Sequence, residues 1–457
     1  MKQTFTKKEK LKQLFYIMLP ILITQLGMVS MNFFDIMMSS RYSADDIAGV
    51  AIGSSLWVPV FTGLSGILLA ITPIVAQLVG AEKKEEVPFS VMQGIYASIA
   101  LAVIVFAIGL VVLNPVLNAM KLEENVHHIA KGYVAALATG LIPVFVFSVL
   151  RCFIDALGMT RTSMLITLIA LPLNVLFNYI LIFGKWGLPA FGGIGAGYAS
   201  ALTYWIVALI AAWIIHQKRP FSSYNIFRSF PPISFPKWKE ILLIGVPIGL
   251  SIFFETSIFS AVTLLMSEYD THVIAAHQIA LNFSSMLYMI PLSMSMSLTI
   301  VVGFEIGAKR WKDAKIYSWL GVAITVLVSM IATCILFLLR EQIAAIYTSQ
   351  SDVLKLASQF LLFAALFQLS DAIQAPVQGA LRGYKDVNVT FIMTMISYWI
   401  IGLPLGYYLA NETDLAAFGY WIGLISGLTA GAFTLSARLL FIQKKKFKAI
   451  QTNHAVN

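Results

Sequence analysis

Residues 241–266 read ILLIGVPIGLSIFFETSIFSAVTLLM. The run exceeds the roughly 20 apolar residues that carry an α-helix across a bilayer at about 1.5 Å of rise each. Its one charged residue, Glu255, stands near the middle. A carboxylate at that depth is costly unless it meets water, a partner or a cation. A functional site is therefore the default reading of Glu255. The competing one is a protonated acid whose hydrogen bond pins two helices together.

Working outward, the whole chain shares this character. Of 457 residues, 59% are hydrophobic and only 12% charged, against about 25% charged in a typical soluble protein. Mean hydropathy is +0.83. The apolar runs are helix-length rather than alternating ten-residue strands, which implies an all-α polytopic membrane protein. Twelve spans are expected, at 14–38, 47–79, 91–113, 131–155, 163–184, 193–215, 241–266, 274–306, 317–339, 355–380, 389–410 and 416–440. The second and eighth are longer than needed, which implies tilt or extension beyond the bilayer. The basic start before residue 14 leads into a run too long for a signal-peptide core, so the first span is expected to be retained. Cys152 and Cys334 lie in apolar segments outside any CxxC pattern and read as buried small residues.

The net charge of +9 is a topology signal. One alternate set of loops holds 23 Lys and Arg, from Lys2 to Lys448; the other holds only Arg41, Lys121, Lys131, Lys185, Arg340 and Lys355. The richer set is cytoplasmic by the positive-inside rule, with both termini inside and the protein in the cell membrane. That distribution argues against a nucleic-acid partner.

The segment His216 to Glu240 is the longest polar stretch and divides the chain into lobes 1–215 and 241–457, joined by the linker 216–240. The halves repeat. Pro20 matches Pro247, Ile47-Ala48 matches Ile274-Ala275, and Gly80-Ala81 matches Gly307-Ala308. The offset is constant: 247 − 20 = 274 − 47 = 307 − 80 = 227. Six spans separate equivalent positions, so a pseudo-two-fold axis along the membrane normal relates two six-helix lobes. Transporters place substrate at such repeat interfaces.

Few ionisable groups lie deep in the spans. Asp35 sits toward the outer end of the first span and Asp371 within the tenth. Asp155 has Arg151 one turn back and reads as a structural pair. Asn174 and Asn178 lie one turn apart on one helix face; their amide oxygens suit a hard cation, or serve equally as glue between helices. His277 reads as a proton or substrate contact or as a hydrogen-bonded packing residue. Met286, Met289 and their neighbours would suit a cavity for varied apolar cations, or face lipid. No GxxxxGK[ST], GxSxG, HExxH or GxGxxG motif occurs, so the chain reads as no enzyme and an ion gradient as its energy source. An intramembrane aspartyl protease needs a GxGD-type motif, whereas Asp371 follows Gln368-Leu369-Ser370.

Taken in order, several pieces resemble the multidrug and toxic compound extrusion (MATE) transporters, most closely their NorM branch. They are Pro20 with Gln25, Asp35, LNVLFNY at 173–179, FGGIGAGYA at 191–199, Glu255 in FFETS, AAHQIALN at 275–282 and DAIQAPVQGALRGYKDV at 371–387. The resemblance implies export of amphipathic, often cationic compounds in exchange for Na⁺ or H⁺, by a protein expected to be monomeric in its lipid. It implies no cofactor beyond that coupling ion. The family's second-lobe cation site, which would hold Na⁺, falls on Glu255 and Asp371. Its first-lobe site falls on Asp35, Asn174 and Asn178. The expected substrate contacts are Asp35, Phe367, Met286, Met289 and His277. Phe367 stands where the family usually carries a tyrosine, so a hydroxyl is missing there. A flippase of lipid-linked precursors is the rival class. It would line its cavity with several Arg or Lys for pyrophosphate, whereas the deep spans here read as acidic.

Overall fold

Hydrocarbon offers the backbone no hydrogen-bond partners, so a chain this apolar satisfies its amides internally, as helices. The computed structural model describes residues 3–456, with side chains through residue 446, and bears this out. Lys2 and the Lys448 side chain, counted above, lie outside the described residues. The helices are α1 (Lys7–Ser40), α2 (Ala44–Leu68), α3 (Ile71–Gly80), α4 (Glu86–Ala119), α5 (Glu124–Ala138), α6 (Leu141–Ala156), α7 (Thr160–Phe183), α8 (Gly193–Gln217), α9 (Phe235–Leu265), α10 (Thr271–Gly307), α11 (Trp311–Tyr347), α12 (Ser351–Gly383), α13 (Val387–Met395), α14 (Leu403–Glu412) and α15 (Ala417–Val456). A π-helical turn, Ile396–Gly402, joins α13 to α14.

Among the described residues, eleven helical segments are long and apolar enough to span a membrane, and up to twelve if α5 and α6, bent by 49°, form one span. The bend falls at Gly140, where a Cβ would come within 2.8 Å of the Ala201 Cα. The expected fourth span, 131–155, runs straight through that bend. Cys152 is buried, but Cys334 is exposed on α11, on a face whose neighbours are apolar and exposed too.

The chain divides into two compact units, residues 19–249 and the remainder. In the first, α7 packs along α8, and α5 packs on α2 and α8. In the second, α12 is the central helix, against α10, α11 and α15. Two of their contacts stand at the sequence offset. A Cβ at Gly94 would meet the Ile71 side chain at 2.6 Å, and one at Gly321 the Leu298 side chain at 2.8 Å. Both partners are related by the sequence offset, 321 − 94 = 298 − 71 = 227. The exposed pairs Leu110-Val111 and Phe337-Leu338 stand at the same separation.

Two helices belong to both units. The first turns of α1 pack with the second unit, and those of α9 with the first. Lys10, 2% exposed, donates to Asp313 Oδ1 at 2.9 Å and to the Thr4 carbonyl at 2.7 Å. Tyr317 OH donates to Gln13 Oε1 at 2.9 Å and pairs with Thr4 Oγ1 at 2.7 Å. In the first unit Gln93 grips the segment that leads into α9: its amide donates to the Pro232 carbonyl at 2.8 Å and accepts from the Ser234 N–H at 2.9 Å. Each half thus lends its leading segment to the other unit, and α1 and α9 cross over within three residues of Pro20 and Pro247.

In the second unit α10 and α12 approach closely, so that a Cβ on Gly379 would overlap the Ser295 carbonyl oxygen. Gly379→Val is therefore expected to abolish the monodisperse peak in size-exclusion chromatography. Gly109→Ala, with nothing within 4 Å of its new methyl, should match the parent protein. A monodisperse, parent-like Gly379→Val protein would contradict the α10–α12 packing.

Candidate functional site

The first unit gathers its buried polar groups around Asp35 of α1. Helix α7 ends at Gly184, whose left-handed conformation (φ 63°) no β-branched residue would adopt readily. The chain then folds back: Phe191 N–H donates to the Leu181 carbonyl at 2.9 Å and Gly192 N–H to that of Ile182 at 3.2 Å. Asp46 receives the Gly193 N–H at 2.5 Å and so caps the start of α8. This return sets Ser200 of α8 beside Asn174 and Asn178 of α7.

The resulting cluster is continuous. Asn178 Nδ2 donates to Asp35 Oδ1 at 2.6 Å and to Asn174 Oδ1 at 3.1 Å. Ser200 Oγ donates to Asp35 Oδ2 at 2.8 Å and accepts from Asn174 Nδ2 at 3.1 Å. Asp35 is 5% exposed and both asparagines 0%. Both carboxyl oxygens of Asp35 thus have a hydrogen-bond partner. Asn178 Oδ1 is buried without a hydrogen-bond partner, an acceptor left over beside a negative charge.

The second unit builds its cluster along one face of α12, where Asp371, Gln374, Gln378 and Arg382 recur at helical spacing. Glu255 Oε1, from α9, accepts from Gln378 Nε2 and, at 3.4 Å, from Gln374 Nε2. Gln374 Nε2 also donates to Tyr398 OH at 2.8 Å, and Gln378 Nε2 to Thr394 Oγ1 at 3.3 Å. Arg382 Nη2 donates to Gln378 Oε1 at 3.4 Å. Asp371 is 5% exposed and lies within electrostatic reach of Glu255. Gln374 Oε1 is another buried acceptor without a partner. Tyr398 sits on the π-helical turn, a local widening often found at functional sites.

The remaining sequence candidates fall elsewhere. His277 is fully buried: its Nδ1 accepts from Trp421 Nε1 at 3.1 Å, and its Nε2 pairs with Thr263 Oγ1 at 3.2 Å. Phe367 packs edge-on against Phe259 and Trp421, with centroids 5.6 and 6.3 Å away. Met286 is 54% exposed and Met289 half-buried. Asp155 receives Ser163 Oγ at 2.5 Å and faces Arg151 Nε at 3.5 Å. Glu305 is fully buried and holds Arg310 at 2.5 Å. Along α1 and α7, Phe34, Met38, Pro172 and Tyr179 border an apolar groove of about 580 Å³.

Sequence reasoning missed Ser200, Gln374, Gln378, Tyr398 and Arg382. Ser200 carries no charge and sits in a small-residue run that reads as packing. The α12 row was legible, because 371, 374, 378 and 382 share a helix face.

The MatE family model matches residues 20–180 and 247–408, and the second match begins 247 − 20 = 227 residues after the first. The chain is 57% identical over 445 residues to the "Probable multidrug resistance protein NorM" of Oceanobacillus iheyensis, covering 97% of this chain and 100% of that protein. It is 55% identical to the protein of that name from Bacillus subtilis, covering 97% and 98%. The chain belongs to the MATE family. Within it, the chain falls in the NorM-like branch. MATE proteins are transporters, not enzymes. The MATE fold is matched in the eukaryotic transporter AtDTX14, with a TM-score of 0.83 at 22% identity over 97% of this chain and 99% of that one. It is matched again in an outward-facing MATE transporter of the MOP superfamily, with a TM-score of 0.86 at 19% identity over the same shares.

Ser200 is the hinge of the first cluster. Ser200→Ala strands Asp35 Oδ2 and Asn174 Nδ2 without that hydrogen-bond partner, and should cost about 1–3 kcal/mol. Thermal unfolding of the purified protein should register a lower midpoint, while Ser55→Ala, at an exposed position, should leave it in place. Equal midpoints for the two variants would refute the cluster.

Proposed function

We propose that this MATE protein is a cation-coupled multidrug antiporter that exports amphipathic, often cationic compounds by alternating access in exchange for Na⁺ or H⁺. In this proposal twelve spans form two six-helix lobes related by a pseudo-two-fold axis, with the linker 216–240 and both termini in the cytoplasm. The names of its relatives support multidrug cargo. One observation carries the coupling: each unit encloses a carboxylate among amides and leaves a buried amide oxygen of that cluster unpaired. They are Asn178 Oδ1, on the amide whose Nδ2 donates to Asp35, and Gln374 Oε1, on the amide whose Nε2 reaches Glu255. A monovalent cation is the ligand such an acceptor set lacks.

The cycle follows from charge. Facing outward, the carboxylates take up Na⁺ or H⁺. Neutralisation removes the charge that held a cationic drug, the drug leaves, and the loaded protein returns. Drug and ion are linked because both answer to the same negative charge. In the first unit Asp35, Asn174 and Asn178 supply oxygens that fit Na⁺. In the second, Glu255 and Asp371 share a low-dielectric site that takes up one proton or one Na⁺. Tyr398 supplies a hydroxyl to that site where Phe367 has none. Among the described residues no three His, Cys, Asp or Glu converge as a metal cluster. The coupling ion is cargo rather than a resident metal.

Glu255→Gln keeps the shape of a protonated acid but can neither release a proton nor balance a cation. In sealed vesicles it is expected to reach the membrane in normal amount and to lose drug transport driven by a pH gradient. Wild-type transport rates in Glu255→Gln under separately imposed Na⁺ and pH gradients would overturn the coupling role.

A further inference from the structure

Arg382 is one of the 23 basic residues assigned above to the cytoplasmic loops, yet it is 7% exposed and lies in the last turn of α12. A guanidinium is not deprotonated under ordinary conditions, so a buried one needs an anion nearby. It is connected to one. Arg382 Nη2 donates to Gln378 Oε1 at 3.4 Å, and the same amide's Nε2 donates to Glu255 Oε1. One side-chain amide thus stands between a cation and a carboxylate with its dipole aligned to both. The groups facing this cluster are Glu255 from α9, Tyr288 from α10, Asp371 from α12 itself and Tyr398 from the π-helical turn. Tyr288 lies within electrostatic reach of Glu255, Asp371 and Arg382 alike.

A helix C-terminus favours a basic residue through its dipole, which would account for an exposed arginine. It does not account for one that is buried and tied through Gln378 to an acid on another helix.

We propose that Arg382 is the resident counter-charge of the second unit's acidic site and limits that site to one transported positive charge at a time. The proposal rests on the coupling role given above to Glu255 and Asp371. Two carboxylates and one guanidinium carry a net charge of −1. One monovalent cation, whether a proton, Na⁺ or a lipophilic drug cation, makes the site neutral. A second would leave uncompensated positive charge in a low-dielectric site, so the two ligands exclude each other. Mutual exclusion at one site is what antiport requires. Arg382 is a positioning and charge-setting residue: it acts through Gln378 and Glu255.

The test uses the full-length purified protein and tetraphenylphosphonium as a monovalent probe. Wild type should bind the probe and release it as Na⁺ or acid is added. Arg382→Gln makes the site −2. It should bind the probe about tenfold more tightly and keep it in the presence of Na⁺. Arg382→Lys should resemble wild type. Arg382→Gln/Glu255→Gln returns the site to −1 and should restore displacement. Folded Arg382→Gln with wild-type affinity and displacement would overturn the proposal.

A thermal-unfolding double-mutant cycle on the same two residues, with neither probe nor Na⁺, separates the pairing from the transport role. Strongly non-additive midpoints are expected, the double variant standing above Arg382→Gln. Additive midpoints would refute the pairing even if Glu255 proves essential for transport. If Arg382→Gln does not fold, the double variant must fold, and its failure to do so would also refute the pairing. If the cycle is non-additive but neither Na⁺ nor acid displaces the probe from wild type, the coupling role fails and the one-charge rule with it.

Discussion

A carboxylate cannot be taken out of water cheaply, and three of them, Asp35, Glu255 and Asp371, sit in helices built to cross a membrane. The fold around the first two supplies what water would have supplied. Asp35 has an asparagine and a serine; Glu255 has two glutamine amides and, one amide further on, a guanidinium. Asp35's partners come from α7 and α8 and those of Glu255 from α12, so each carboxylate ties its own helix to others.

The helical architecture was legible because hydrocarbon leaves a chain few choices. Long apolar runs give helices, and a constant offset of 227 gives repeated contacts. Glu255, Asp35, Asn174 and Asn178 stood out for similar reasons, since polar groups are rare at that depth. Other features were not legible. Ser200 is neutral and small, and its role exists only because the turn at Gly184 and the return through Gly192 set α8 beside α7. Arg382 looked like a loop charge because loop-counting assigns residues by distance from a span end, whereas its long side chain reaches back into the helix packing. His277 read equally as a site or a packing residue; its two ring nitrogens are both engaged, one by Trp421 and one by Thr263. The bend at Gly140 hid inside a continuous apolar run.

The crossing of α1 and α9 between units has a mechanical consequence. Lys10 with Asp313, and Gln93 with residues 232 and 234, fasten the start of each crossing helix to the unit that does not hold its remainder. Rearranging the units must bend these helices near Pro20 and Pro247, where a backbone hydrogen bond is already missing, or peel their ends away. Asp35 and Glu255 lie on these same two helices.

Coupling is reciprocal by thermodynamic necessity: if an ion gradient drives drug export, a drug gradient must drive ions the other way. The most direct measurement imposes an ethidium gradient on proteoliposomes of the wild-type protein, with no ion gradient, and follows internal Na⁺ and pH. The account predicts ion movement opposite to ethidium, abolished together with ethidium flux when both Asp35 and Glu255 are neutralised. Ethidium flux at full rate with no counter-movement of Na⁺ or H⁺ would contradict it.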